Sequence, residues 1–138
     1  MVEETENKRA VISQPAGHLE KGETLLQAVV REVQEETAWE FVPEAFSGIY
    51  RWEHRAKGLT YLRFCFTGHV HKHNPEQTLD EGILRTHWLR HDEMLACQWR
   101  SPVVKRCLED YLDGQRYPLS LYTDISDAEL PASQDINP

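Results

Sequence analysis

The chain has 138 residues, 40% hydrophobic and 28% charged, with a net charge of −8 at pH 7, the size and composition of one globular domain. The acidity argues against a nucleic-acid polymer or an anionic membrane as partner, but leaves open an acidic small molecule, since a bound divalent cation reverses the local field. The opening MVEETENKR has no apolar signal core, no apolar run approaches the roughly 18 residues of a membrane span, and Cys65, Cys97 and Cys107 lack Cys-x-x-Cys spacing, so a reducing cytoplasm is expected, without a disulfide framework or thiolate zinc site.

Val2 reads as the end of one strand and Ala10 to Ile12 as a second short segment, with a turn over residues 14–17. The clearest predicted helix covers 23–37, where Leu26, Val29, Val30 and Val33 recur at three- and four-residue steps. Residues 46–53 and 61–70 read as strands, the second with Leu62, Phe64 and Phe66 on one face and Tyr61, Arg63 and Cys65 on the other. Residues 54–58 form a polar connection and 71–81 a loop, before a third strand over 83–89. Helices follow over 92–97 and 102–113, the latter with Pro in its first turn and Gly114 beyond its end. The sequence therefore predicts a single α+β domain over 1–122 and an acidic, loosely held tail over 123–138.

On a helical wheel at about 100° per residue, Leu26, Val30 and Val33 share one side, while Glu32, Glu35 and Glu36 fall on an arc flanking Ala28. A solvated face explains most acidic helices. Three adjoining carboxylates repel, however, and hard oxygen donors in this arrangement suit Mg2+ or Mn2+. Glu23 and Arg31 stand two turns apart, within reach of an ion pair. His69, His71 and His73 alternate along a strand and either edge a solvated face or hold zinc.

The spacing is more specific than the composition. Gly17, five residues, Glu23, seven residues, then Arg31-Glu32-Val33-Gln34-Glu35-Glu36 reproduces the Nudix box. Its chance occurrence at a given start is on the order of one in ten million from residue usage. The chain thus resembles the Nudix hydrolases. Gln14 to Glu20, Leu62-Arg63-Phe64, Arg100-Ser101-Pro102 and Gly114 to Leu119 further resemble a bacterial phosphatase branch of that family. The box departs from its pattern at Ala38, where a glycine would cap the helix in the left-handed conformation, and alanine there costs about 1 kcal/mol or ends the helix differently.

The resemblance implies a Nudix fold, a mixed β-sheet sandwiched between helices, and Mg2+-dependent removal of terminal phosphate from nucleoside tri- and diphosphates. It implies hydroxymethylpyrimidine pyrophosphate as a further substrate. Glu32, Glu35, Glu36 and the Gly17 carbonyl carry over as metal ligands, Glu32 also as the base toward the attacking water. Catalytic candidates are therefore Glu32, Glu36 and, as a second choice from the loop before the third strand, Glu81, which otherwise reads as a solvated acid. Arg63 is a candidate phosphate grip or a structural ion-pair partner, and Trp52 a base-stacking residue or a rim aromatic. ADP-ribose, an oxidised nucleoside triphosphate and a non-catalytic nucleotide-binding module remain as alternatives.

Relatives in that branch begin with about twenty more residues, whose absence would leave unpaired backbone in the sheet. A monomer is expected, with a strand-exchanged dimer as the response to such a gap. Restoring an upstream strand is then expected to raise both melting temperature and specific activity, read from side-by-side melts and phosphate release of the two lengths. Equal values with a monomeric short form would refute the gap.

Overall fold

The computed structural model describes residues 1–125, so all but the first three residues of the predicted tail lie outside the described part. β1 (Val2–Glu6) and β2 (Arg9–Ser13) form a hairpin turned by Asn7 and Lys8, which take φ of 49° and 64°. Two successive positive φ values give a turn whose twist matches that of the paired strands. β1 lies between β2 and β5 (Ile83–Thr86), antiparallel to both. Val2 and Val11, at 0% and 4% exposure, anchor this sheet in the core.

β3 (Trp39–His54) and β4 (Leu59–His73) pair along their whole length, and β6 (Tyr117–Pro118) adds to β3. Among the described residues the strands make two three-stranded sheets, whose ladders are all antiparallel. The parallel component expected of a mixed sheet is confined to an isolated bridge, Ile12 with Trp99. There Ile12 N–H donates to the Gln98 carbonyl at 2.9 Å, and Arg100 N–H to the Ile12 carbonyl at 3.0 Å, so the outer edge of β2 is partly paired.

β3 and β4 run well beyond the predicted 46–53 and 61–70, and β5 stops short of 89. Irregularities near Glu44, Ser47 and Lys72 let the long ribbon bend without losing its register, and they obscure the simple alternation on which the sequence reading rested. Of the two readings for the three histidines, the solvated edge fits better than zinc, since each ring already has a neighbour and none joins a metal-holding cluster among the described residues. His69 pairs with Glu44 at 2.8 Å, His71 with Glu40 at 3.1 Å, and His73 stacks on Trp39 at 4.6 Å.

α1 (Leu25–Thr37) starts with a capping box. Thr24 Oγ1 accepts from Gln27 N–H at 3.2 Å, and Gln27 Oε1 from Thr24 N–H at 2.8 Å. The helix packs against β3 and β5. Its buried residues are Ala28, Val33, Glu36 and Thr37, while Leu26 and Val30 are half-buried, so the core stripe is rotated from the predicted one toward the acidic face. α2 (His91–Leu95) is short. α3 (Pro102–Leu112) packs against β3 and buries Val103, Val104, Cys107 and Leu108. No helix among the described residues is long and apolar enough to cross a membrane.

Two positions lend themselves to measurement. Ala38 caps α1 in the left-handed conformation at φ 59°, with its N–H donating to the Gln34 carbonyl at 2.8 Å. Left-handed strain of about 1–2 kcal/mol for a residue with a Cβ competes with roughly 0.8 kcal/mol from burying its methyl group. Ala38→Gly is therefore expected to stabilise by about 0.5 kcal/mol and Ala38→Val to destabilise by about 2 kcal/mol or more, read from denaturant midpoints. A valine variant as stable as the parent would remove the strain.

Glu3 sits across from β5, accepting from Arg85 Nε at 2.8 Å and meeting His87 Nε2 at 2.6 Å. The bonds from Arg85 and then His87 hold its carboxyl down at about 2, against an ordinary 4.5. A depressed folded value means stability fully present above pH 4.5 and lost as pH falls toward 2. Glu3→Gln is expected to lose less stability than the parent over that window in melts at stepped pH. Parallel curves for the two proteins would contradict the linkage.

Candidate functional site

The loop between β2 and α1 carries Gly17, and the outer turns of α1 carry the acids. Gly17 lets the Glu32 carboxylate lie against the loop, because a Cβ at this position would run into that carboxylate and force it to move. Backbone and carboxylate are thereby brought against each other. One turn on, Glu36 is only 9% exposed, and its Oε2 accepts from Ala16 N–H at 3.1 Å. The same loop is thus fastened from beneath by one glutamate and faced by another.

Arg31 gathers the rest. Its Nε and Nη2 donate to the two Glu23 oxygens at 3.0 and 2.6 Å, and Nη2 also donates to the His18 carbonyl at 3.0 Å. Its Nη1 donates to Glu32 at 2.7 Å and Glu35 at 2.9 Å. Forked donors on a rigid plane suit such a task better than an ammonium would. The guanidinium holds Glu23 below the usual carboxylate range, with a further contribution from Glu20 N–H. Glu36 behaves oppositely. Burial pushes its carboxyl up to about 7, against the opposing bond from Ala16, and the negative neighbours Glu4, Glu32 and Asp80 add to the rise.

Glu32, Glu35 and Asp80 each present a carboxylate oxygen, all within 4.8 Å of one another. Oxygen donors this close, beside a buried acid that lacks a compensating positive charge, fit a hard divalent cation. Asp80 is held there because its N–H donates to the Glu35 carbonyl at 3.1 Å, while Gln77 Nε2 bonds the Gln34 carbonyl at 2.7 Å. Sequence reasoning selected its neighbour Glu81, which is exposed and outside the cluster. The only available signal was an acidic pair before Gly82, far along the chain from the helix, and nothing in the pattern separated the two acids.

Gly17, Glu32, Arg63 and Trp52 line one cleft of about 1050 Å³. Arg63 is aimed by Gln14, whose Oε1 accepts from Arg63 Nη2 at 3.0 Å and whose Nε2 donates to the Val104 carbonyl at 3.1 Å. This bridge was not foreseen, because a residue at the end of β2 says nothing on its own about β4 and α3. Trp52 stacks on Tyr61 at 5.4 Å and leans on His54 at 4.9 Å, forming an aromatic wall on the Arg63 face of the ribbon. Leu62, expected on an apolar face, is 64% exposed.

Comparison with known proteins points the same way. Residues 1–108 match the model of the NUDIX domain. The chain is 39% identical over 127 residues to the phosphatase NudJ of Escherichia coli K12, covering 91% of this chain and 82% of that protein. The same figures hold for the phosphatase NudJ of Shigella flexneri. Among solved structures, a NUDIX hydrolase from Nitrosomonas europaea superposes with a TM-score of 0.86 at 46% identity, covering 90% of this chain and 86% of that one.

The Arg31 clamp has a structural consequence separable from chemistry. Arg31→Ala strands Glu23 and Glu32, whose side chains are mostly buried, and releases the His18 carbonyl. A fall in melting temperature of several degrees is expected, with faster amide exchange over residues 16–24, and Arg31→Lys should rescue little of either. Unchanged exchange in that loop would refute the clamp.

Proposed function

Since the chain belongs to the Nudix hydrolases, we propose that it cleaves a phosphoanhydride bond of nucleoside tri- or diphosphates, releasing phosphate, with Mg2+ or Mn2+ held at the C-terminal half of α1. The observation carrying this reading is the convergence of Glu32, Glu35 and Asp80 beside buried Glu36 and the Gly17 backbone. Glu32, Glu35, Glu36 and the Gly17 carbonyl would hold the ion, with Asp80 added from the following loop. When bound, the ion supplies charge neutralisation on the phosphate oxygens and a more acidic water.

The remaining work falls to side chains of this cleft. Glu32 accepts the proton of the attacking water, with Glu81 as the second choice for that role. Arg63, pre-aimed by Gln14, grips a phosphate oxygen pair through its forked donors. Trp52, steadied by Tyr61, offers a flat face to a base. The names of the curated relatives favour phosphate release, and hydroxymethylpyrimidine pyrophosphate fits as a smaller pyrophosphate substrate. The aromatic wall is equally compatible with ADP-ribose or an oxidised nucleoside triphosphate, whereas a purely binding module is disfavoured by the intact set of carboxylates. The protein works in the cytoplasm, on a small molecule.

A panel of ATP, ADP, ADP-ribose, an oxidised guanine nucleotide and hydroxymethylpyrimidine pyrophosphate, scored separately for orthophosphate and pyrophosphate, tests the reading. Orthophosphate from the first two is the expected result, and no turnover on any member with Mg2+ or Mn2+ would overturn it. Glu36→Gln is expected to lower kcat/KM by more than about a hundredfold while raising the metal-free melting temperature, because it removes an ionisable group from a buried place. Near-normal turnover of that variant at saturating Mg2+ would exclude Glu36 from the site. Asp80→Asn is expected to raise the Mg2+ midpoint for activity well beyond the effect of Glu81→Gln, and the reverse order would move the loop ligand to Glu81.

A further inference from the structure

The segment before α3 brings a second arginine to the cleft. Arg100 N–H donates to the Ile12 carbonyl at 3.0 Å, which ties this segment to the edge of β2, and Arg100 lines the same cleft as Gly17, Glu32 and Arg63. Its side chain turns to Glu4, where Nη1 reaches both carboxylate oxygens, at 3.3 and 3.0 Å. Glu4 stands on the inward face of its sheet. It lies opposite Val11 and two residues from Val2, in an unbroken register, and Val2, Val11 and Ser13 on that face are all buried. On its other side Glu4 lies opposite Ile83 of β5, whose N–H donates to the Asp80 carbonyl at 3.1 Å. The Arg100–Glu4 pair is therefore set beside the loop that brings Asp80 to Glu35.

We propose that Arg100 is a second phosphate-binding residue of the cleft, holding two oxygens of the substrate's phosphate chain through Nε and Nη2, and that Glu4 is the residue positioning it. The inference rests on the phosphoanhydride reading and narrows it to substrates that offer a second phosphate group beyond the one held by Arg63. Only Nη1 is engaged by Glu4, and Nε and Nη2 have no bond among the described residues. That open edge is the one with which Arg31 takes both oxygens of Glu23, so it matches a pair of anionic oxygens. Exposure divides the pair in the same sense. The Glu4 side chain is 16% exposed and that of Arg100 45%, so the carboxylate is sunk in the sheet while the guanidinium can be reached.

Arg63 is arranged alike. Gln14 holds it through Nη2 alone, and Gln14 follows Ile12 by two residues, at most about 7 Å of chain. Both arginines thus hang from the end of β2, one by its side chain and one by its backbone, close enough for both to reach one phosphate chain. Trp52 stands on the Arg63 side of the cleft and Asp80 on the Arg100 side. The phosphate next to the base therefore goes to Arg63 and the following one to Arg100. Binding leaves Glu4 its bond to Nη1, so no buried carboxylate is stranded. A lysine could not serve both partners in this way, because its ammonium is a point charge without a planar fork.

The test measures, by calorimetry at fixed Mg2+, the affinity of the full-length protein for α,β-methylene-ADP, whose bridge resists hydrolysis, and for AMP. Arg100→Ala is expected to weaken the diphosphate analogue about 10- to 100-fold, as for the loss of bonds to a charged group, and AMP by no more than about threefold. Arg100→Lys should recover only part of the loss. Glu4→Ala should weaken the analogue by a smaller factor and raise KM for ADP with little change in kcat, while Glu4→Gln, which still offers Nη1 an oxygen, should restore both. Arg100→Ala alone leaves a mostly buried carboxylate unpaired, so the double variant Glu4→Gln/Arg100→Gln replaces it should it fail to fold, with the same selective loss expected. An Arg100 variant with parental affinity for the analogue, or with an equal loss for AMP, overturns the proposal, and turnover of ADP by the parent then leaves the phosphoanhydride reading standing. A parent that binds no analogue and turns over no phosphoanhydride overturns both.

Discussion

The Arg31 guanidinium donates to Glu23, Glu32, Glu35 and the His18 carbonyl at once, and the acidic end of α1 is tolerable largely for that reason. Carboxylates on neighbouring helical positions repel, and a helix that collects them needs positive charge from somewhere. Here a single fork supplies it from inside the helix and reaches back into the loop. The loop's course is thereby fixed to the helix face, so the Gly17 backbone and the Glu32 carboxylate lie against each other, and a side chain at 17 would displace that carboxylate. Glu36 adds a second fastening through Ala16 N–H. The loop is held by the same residues that its carbonyl would join in holding a cation.

The fold departs from economy at the end of this helix. Ala38 adopts a conformation that glycine takes freely, and the strain is accepted because the next residues must enter β3 at once. Trp39 begins the strand stacked on His73, with Trp88 against its edge at 5.8 Å, and the Ala38 carbonyl receives Asn74 N–H at 2.9 Å. The helix end, the end of β4 and the loop leading to Asp80 are therefore locked in one place. The strained cap and the position of a candidate ligand are consequences of the same junction.

Much of this was legible because it is periodic or locally spaced. The apolar steps of α1 and the proline and glycine around α3 lie within one or two turns of their partners, so the chain itself sets their geometry, and the box from Gly17 to Glu36 is recognised by its fixed spacing. The capping box at Thr24 and Gln27 is equally local, yet the sequence reading began the helix at residue 23, ahead of the cap. What escaped was set by contacts distant in sequence. Asp80 joins Glu35 only because a loop folds over the helix, and Gln14 meets Arg63 and Val104 only after β2, β4 and α3 are assembled. Alternation located Arg63 correctly relative to Leu62, where the register is regular, without revealing that Leu62 would be left largely in solvent. The rotation of the core stripe of α1 has the same origin: a carboxyl group, Glu36, took a buried place that hydrophobicity alone would assign to Leu26 or Val30.

That burial explains why the site is poised. An isolated carboxylate away from water is costly, and the protein meets the cost in two ways at neighbouring positions. Glu23, Glu32 and Glu35 share one permanent cation, the guanidinium, which offsets only part of their charge. Glu36 has only a backbone N–H, surrounded by Glu4, Glu32 and Asp80, so its charged form awaits another positive charge. Arg100 draws off part of that negative field by pairing with Glu4 at 3.0 Å, while Arg63 is committed to Gln14 and faces the cleft. The fixed cations are thus placed to hold the loop and to meet an anionic substrate. The uncompensated charge is left beneath the cluster of oxygens, where a divalent ion would satisfy Glu36 and the outer carboxylates together.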